Sequence, residues 1–284
     1  MQIDSHRHFW RYDAVRDSWI ANRMRVLQRD FPLEHPAPEL SANGIDATVA
    51  VQIDQSEDET TFPLGFCNEN RADRDPCIAG VAGWVDLRAR NLPERREYFS
   101  QLEELRGFRH IVQGEPDDRF PLRDEFCRGI SRLREGARQL PAAVEFVERF
   151  PDQPFVVDHI AKPAIAAGEI AAGEIAADQI AAGAIESRER NLRAIAVDPN
   201  VFCKLSGLIA DADWNNWSTE LLEPYLRIAF DAFGAARLMF GSDWPVCLLA
   251  ASYDRVKELA ADFAAARKRS RPKFLTRPPR VFTV

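Results

Sequence analysis

Two histidines, His6 and His8, stand two residues apart near the start of the chain, in the run MQIDSHRHFW. In a β-strand, a spacing of two residues places both side chains on the same face. Paired imidazoles are a common arrangement of metal ligands, although an HxH pair also occurs without any ligand. The pair therefore indicates a candidate site whose other members must come from later in the sequence.

Two further ionisable residues end apolar runs later in the chain: His159 follows PFVVD, and Asp243 follows RLMFGS. Three histidines and a carboxylate could bind zinc with a water in an open position, or could hold that water without a metal. The carboxylate would take a proton from the water, while the histidines or the zinc would polarise a carbonyl and stabilise its oxyanion. The alternative interpretation is structural, with Asp243 as a helix N-cap and His159 as a core residue. The candidate catalytic residues, and the metal ligands if zinc is bound, are His6, His8, His159 and Asp243.

The elements that must position these residues are short apolar runs separated by longer amphipathic stretches. The predicted strands are Met1–His8, Ala47–Ile53, Ile78–Val85, Phe108–Val112, Phe155–His159, Val201–Leu205 and Leu238–Phe240. The predicted helices include Leu92–Leu105, Asp124–Glu135, Ala142–Phe150 and Tyr253–Arg267. This alternation is typical of an α/β fold with a parallel sheet, and polar residues at the ends of the strands are typical of the active site of a (β/α)8 barrel. The segment 10–40 is predicted to be an extended loop over the barrel mouth.

Several motifs resemble a known family. HRHFW, VDHIAKP, NVFCKLSGL and FGSDWPV are similar to motifs of the amidohydrolase-2 branch of the amidohydrolase superfamily, in particular its sugar-lactone hydrolases, and the likeness spans most of residues 1–163 and 200–253. The resemblance implies a (β/α)8 barrel that hydrolyses a sugar-derived lactone, such as L-fuconolactone, to its hydroxy acid. It also implies a catalytic centre at the three histidines and the aspartate, with zinc in some relatives and no metal in others.

Further residues at or just past the strand ends lie within the resembling motifs. Their hydrogen-bonding groups and aromatic face suit the hydroxyls and ring of a sugar lactone, so the expected substrate contacts are Gln52, Trp84, Arg109, His110, Gln113 and Lys162. The alternative interpretations are a salt bridge for Arg109 and packing inside the barrel for Trp84.

Three segments depart from the pattern of the relatives. Only residues 136–139 separate the helix Asp124–Glu135 from the helix that matches Leu140–Phe150 in the relatives. These are too few for the fifth strand with its two turns, so the predicted barrel lacks that strand. The strands at Phe108 and Phe155 would then pair directly or leave an open seam. The repeat at 165–185, IAAGEIAAGEIAADQIAAGAI, is expected to be a surface insertion, helical in part or mobile. The tail at 270–284 is expected to be solvated and irregular.

The bulk composition limits the class of protein. The 284 residues, 46% hydrophobic and 29% charged, suit a single barrel domain over 1–284, and the net charge of -7 disfavours a nucleic-acid partner. The sequence contains neither an apolar run of about 20 residues nor an N-terminal leader pattern, and its five cysteines form no CxxC pair. We therefore expect a cytoplasmic protein that acts on a small molecule away from membranes. Two alternatives to a lactonase stay open: a zinc-dependent decarboxylase or hydratase of the same superfamily branch, and a protein that binds a sugar acid without catalysis.

Overall fold

A computed structural model of the chain describes residues 2–33, 37–69, 77–111, 115, 117, 119–133, 140–163, 165, 174–266 and 282–283. The strands are β1 (Ile3–Arg7), β2 (Ala47–Val51), β3 (Ile78–Gly83), β4 (Leu105–Phe108), β5 (Phe155–Val157), β6 (Val201–Leu205), β7 (Leu238–Phe240) and β8 (Phe282–Thr283). The helices are α1 (Ala37–Ala42), α2 (Asp58–Glu69), α3 (Leu92–Ser100), α4 (Asp124–Leu133), α5 (Leu140–Glu148), α6 (Glu174–Ile195), α7 (Thr219–Phe233) and α8 (Tyr253–Ala266). No helix within the described ranges is long and apolar enough to cross a membrane.

The strands form two parallel four-stranded sheets, in the orders β1-β2-β3-β4 and β7-β6-β5-β8. All five residues of β1 and of β2 are buried, as expected for parallel strands covered on both faces. The sheets meet at β1 and β7, where Asp243 N–H donates to the His6 carbonyl at 2.9 Å and His8 N–H donates to the Trp244 carbonyl at 2.7 Å. At the other side, β8 pairs with β5 and lies beside β4. The result is an eight-stranded parallel barrel, which confirms the predicted α/β fold class.

The end of the chain fills the place between β4 and β5. Phe282 and Thr283 pair in parallel with Phe155 and Val156. The expectation that β4 and β5 pair directly is therefore wrong, because β8 pairs with the edge of β5. The expectation of an irregular tail is wrong for these two residues for the same reason. Among the described residues β4 and β8 lie side by side but belong to separate sheets, so the seam without strand pairing lies between β4 and β8. Residues 136–139, where the sequence leaves no room for a strand, lie outside the described residues, between α4 and α5.

Some boundaries differ from the predicted ones. Strand β4 begins at Leu105, so the helix predicted to reach that residue ends at Ser100, and β4 itself ends at Phe108 rather than continuing to Val112. The second half of the isoleucine repeat forms the beginning of α6, and residues 166–173 lie outside the described part of the chain.

The segment predicted as a loop over the mouth contains regular structure. Trp10 and Phe31 form an antiparallel bridge, and Asn22–Leu27 form a 3-10 helix. The buried side chains of Trp10, Ile20, Leu27 and Phe31 make a small core of their own, against which Trp244 packs. This core therefore supports the residue that directly follows Asp243.

Candidate active site

The histidine pair projects from the end of β1 into the barrel. His6 is fully buried and His8 is 5% exposed, and their Nε2 atoms are 3.1 Å apart. The Nδ1 atom of His8 lies 2.8 Å from the carbonyl oxygen of Val51, at the end of β2, which fixes the orientation of the ring. Arg7, between the two histidines, turns to the other face of the strand, where its guanidinium lies 4.0 Å from the Trp244 ring centroid and pairs with Glu39. The alternation predicted for β1 is confirmed.

Asp243 faces all three histidines. Its Oδ1 atom lies 3.4 Å from His8 Nε2, 3.7 Å from His6 Nε2 and 3.8 Å from His159 Nε2. Burial acts to raise the pKa of this carboxyl, but its interactions with His159 and His8 outweigh burial and lower the pKa to about 2. The backbone of Asp243 has φ 57, a left-handed conformation that is uncommon among residues other than glycine. The carboxylate is therefore ionised at neutral pH and aimed at the imidazoles.

His159 lies just past β5 rather than at its end. Residues His159 to Lys162 form a turn in which all four have positive φ. The turn packs against Gly207, where an added Cβ would lie 2.6 Å from His159 Nδ1, so only glycine leaves room for the ring. The same Nδ1 atom is 2.8 Å from Ser206 Oγ, which leaves Nε2 facing Asp243. Burial lowers the pKa of His159, and that of His6, well below the ordinary histidine value, so both rings are neutral at pH 7.

Two functional candidates were missed from the sequence, Asp158 and Lys204. Lys204 Nζ lies 3.0 Å from Asp158 Oδ1 and 3.1 Å from His6 Nδ1. The other oxygen of Asp158 accepts a hydrogen bond of 3.0 Å from Arg109 Nε. Burial alone would raise the pKa of Asp158, but Lys204, His6 and Arg109 hold it well below the usual range. The available signal was the lysine within the apolar strand VFCKL, because a buried lysine requires a partner.

The predicted substrate contacts have different surroundings. Arg109 forms the salt bridge that was its alternative interpretation, and Gln52 Nε2 donates to the Arg109 carbonyl at 3.0 Å. His110 Nε2 is 2.9 Å from Glu115 Oε1, and its ring stacks on Phe120. Three of these predicted contacts have a buried polar atom without a hydrogen-bond partner among the described residues, namely Gln52 Oε1, Trp84 Nε1 and His110 Nδ1. Lys162 is half-buried in the left-handed turn, and Gln113 lies outside the described residues.

Three of the four central side chains, His6, His8 and Asp243, are close enough together to fit a zinc ion. Zinc with four tetrahedral ligands at about 2.1 Å holds their donor atoms about 3.4 Å apart. The separations among His6 Nε2, His8 Nε2 and Asp243 Oδ1 are 3.1, 3.4 and 3.7 Å, and these atoms form a group that could hold a metal. The Nδ1 atoms of His8 and His159 are engaged by Val51 and Ser206, as is usual for histidines whose other nitrogen binds a metal.

Comparison with known proteins identifies the family. A family model described as an amidohydrolase matches residues 3–275. The chain belongs to the amidohydrolase family. This amidohydrolase is 42% identical to L-fucono-1,5-lactonase of Burkholderia multivorans, over 94% of this chain and 90% of the relative. It is 34% identical to L-fucono-1,5-lactonase of Burkholderia ambifaria, over 89% of this chain and 83% of the relative. A crystal structure of a Burkholderia multivorans amidohydrolase with bound zinc matches with a TM-score of 0.82 and 40% identity, covering 94% of this chain and 92% of that chain. The resemblance seen in the sequence motifs is confirmed.

Proposed function

We propose that this amidohydrolase opens a sugar-derived lactone, such as L-fucono-1,5-lactone, to its hydroxy acid. The observation that carries the proposal is the 42% identity to an L-fucono-1,5-lactonase over nearly the whole chain, together with the buried group of three histidines and one carboxylate. A lactone is a cyclic ester, so its hydrolysis requires an activated water and stabilisation of the oxyanion that forms at the carbonyl.

In the proposed mechanism Asp243 accepts the proton of the attacking water. Its pKa of about 2 keeps the carboxylate ionised, so the acceptor is ready before substrate binds. A carboxylate of such low basicity takes the proton only as the water becomes acidic, which happens while its oxygen adds to the carbonyl. The carboxylate then returns the proton to the leaving ring oxygen.

The histidines supply the electrophilic side of the site. His6, His8 and His159, with Asp243, are the residues that would hold zinc. When bound there, zinc would polarise the lactone carbonyl and stabilise the oxyanion. Without metal, a neutral imidazole N–H from the same group could donate to that oxygen. The neutral state of His6 and His159 suits either role, because a protonated imidazole cannot ligate a metal.

The substrate would be recognised at the ends of β2, β3 and β4. A sugar lactone carries several hydroxyls, each of which can donate and accept a hydrogen bond. Gln52 Oε1, Trp84 Nε1 and His110 Nδ1 are buried polar atoms without partners among the described residues, and a buried polar atom is costly unless a ligand or water satisfies it. We propose these side chains, and the ammonium of Lys162, as contacts to the hydroxyls. Arg109 is better placed to hold Asp158 than to contact substrate.

We also propose a cytoplasmic location. No disulfide joins any of the five cysteines, all of which lie in the described part of the chain, and this is expected in a reducing compartment.

A panel of aldono-1,5-lactones and aldono-1,4-lactones, assayed with a pH indicator with and without added zinc, tests the function. Ring opening releases one acid per lactone, so the lactonase proposal expects rapid acidification with at least one sugar lactone. Turnover of an aromatic acid instead would favour the decarboxylase or hydratase. Stabilisation of the protein by the lactone without any product would favour a binding protein.

A further inference from the structure

Lys204 and Asp158 form a buried ion pair behind His6, on the side of the ring away from His8. Lys204 is 3% exposed and Asp158 is 6% exposed, and their charged atoms are 3.0 Å apart. Arg109 provides Asp158 with a second cationic partner. A buried ion pair contributes little net stability, because desolvation cancels most of the attraction. The contact of this ion pair with His6 therefore indicates a role other than stabilising the fold.

Both members of the pair reach the same atom, His6 Nδ1. Lys204 Nζ lies 3.1 Å from it and Asp158 Oδ1 lies 3.4 Å from it. A neutral imidazole carries one proton, on either Nδ1 or Nε2. An ammonium can only donate, so Lys204 requires a bare Nδ1. A carboxylate can only accept, so the 3.4 Å contact with Asp158 favours a protonated Nδ1. The two neighbours thus favour opposite tautomers of His6.

The tautomer of His6 decides what its Nε2 atom can do. When Nδ1 is bare, Nε2–H can donate to His8 Nε2 at 3.1 Å, and His8 Nδ1–H can in turn donate to the Val51 carbonyl at 2.8 Å. This chain of hydrogen bonds is complete without metal. When Nδ1 carries the proton and donates to Asp158, Nε2 presents a lone pair toward His8 and Asp243, as a metal ligand must.

We propose that Lys204 and Asp158 are positioning residues that set the tautomer of His6, with Lys204 favouring the hydrogen-bonded, metal-free chain and Asp158 favouring the zinc-binding form. The effect of these residues on zinc binding rests on the metal site proposed above. Their effect on the position of the His6 proton rests only on the contacts of His6. The ring stays neutral in both states, and the proton changes position rather than leaving the site.

Zinc affinity, measured by competition with a chelator, should move in opposite directions in two variants. Lys204→Met removes the competing donor and is expected to bind zinc roughly tenfold more tightly, whereas Asp158→Asn is expected to bind it roughly tenfold more weakly. Arg16→Met and Asp17→Asn are matched controls, since they break another ion pair, with a buried carboxylate, in the segment before β2; they should leave the affinity unchanged. A shift in the same direction for Lys204→Met and Asp158→Asn would overturn the proposal.

Nitrogen-15 NMR of the metal-free protein reads the tautomer directly, with the His6 signals assigned by their loss in His6→Gln. The unaltered protein should carry the proton on Nε2, and Lys204→Met should carry it on Nδ1. A protonated Nδ1 in the unaltered protein, or the same tautomer in both, would overturn the inference even if a variant folds poorly. If the unaltered protein binds no zinc, the proposed metal site is wrong. The NMR result still shows whether Lys204 sets the tautomer of His6.

Discussion

The barrel is closed in two different ways at its two junctions. At the β1–β7 junction, backbone hydrogen bonds join the end of β1 to the residues after β7. The buried Asp4 carboxylate also accepts from Ser242 N–H at 2.9 Å and from Tyr253 Oη–H at 3.1 Å. At the β4–β8–β5 junction, a two-residue strand from the chain end pairs with β5, and the Arg109–Asp158 ion pair spans the strand ends. Three of the four proposed catalytic residues lie at the first junction. The comparison teaches that one junction of a barrel can be left to a short terminal strand paired on one side, while most of the proposed catalytic residues are held at the other junction.

The largest effect is expected at the β1–β7 junction, from Asp243→Asn. Loss of the proton acceptor should lower kcat/KM for a sugar lactone at least about a hundredfold while leaving the fold intact. Asp17→Asn, which neutralises another buried carboxylate, is the control and should keep the native rate. Near-native turnover by Asp243→Asn would remove this residue from the mechanism.

Deleting residues 282–284 tests the other junction. The edge of β5 loses its partner, so the free energy of unfolding should fall by roughly 2 kcal/mol, about 1 kcal/mol for each backbone hydrogen bond lost. The exposed edges should also promote association, visible by sedimentation. Thr283→Val keeps the backbone and should behave like the unaltered chain. Unchanged stability and a monomer after deletion would show that β8 does not close the barrel.

A smaller loss of stability is expected from Tyr253→Phe. This change removes the hydroxyl that donates to Asp4, a hydrogen bond to a buried charged group, so denaturant unfolding should show a loss of about 1.5 kcal/mol. Tyr98 is 48% exposed, and Tyr98→Phe should change little. Equal stability of the two variants would mean that the Asp4 network does not strengthen the β1–β7 junction.

The smallest effect is expected from Lys162→Met, beside the β4–β8–β5 junction. An ammonium that meets the lactone in both ground and transition states contributes to affinity rather than to rate, so KM should rise severalfold, roughly 1 kcal/mol, with kcat unchanged. Lys162→Arg should restore part of the affinity. A parallel fall of kcat and kcat/KM would instead assign Lys162 to the transition state.

The side chains that meet at the β1–β7 junction were predicted from the sequence, whereas the strand pairing at the β4–β8–β5 junction was not. The spacing of His6 and His8 and the strand before Asp243 are local patterns, and the structure places these side chains together as expected. The pairing of β8 with β5 joins residues 127 positions apart, and nothing in the composition of the tail signals it. The contacts of Asp158 also depend on three different strands meeting, so the local sequence could not show that Arg109 and Lys204 share this partner.

Residue-resolved amide hydrogen exchange tests the central claim of unequal closure most directly. The amides of His8 and Asp243, bonded across the β1–β7 junction, should exchange only through global unfolding. The amides of Phe282 and Thr283 should exchange at least about a hundredfold faster, through local opening of the chain end. Equal protection at the two junctions would contradict the account, because it would mean that the short terminal strand closes the barrel as firmly as the side that carries the histidines.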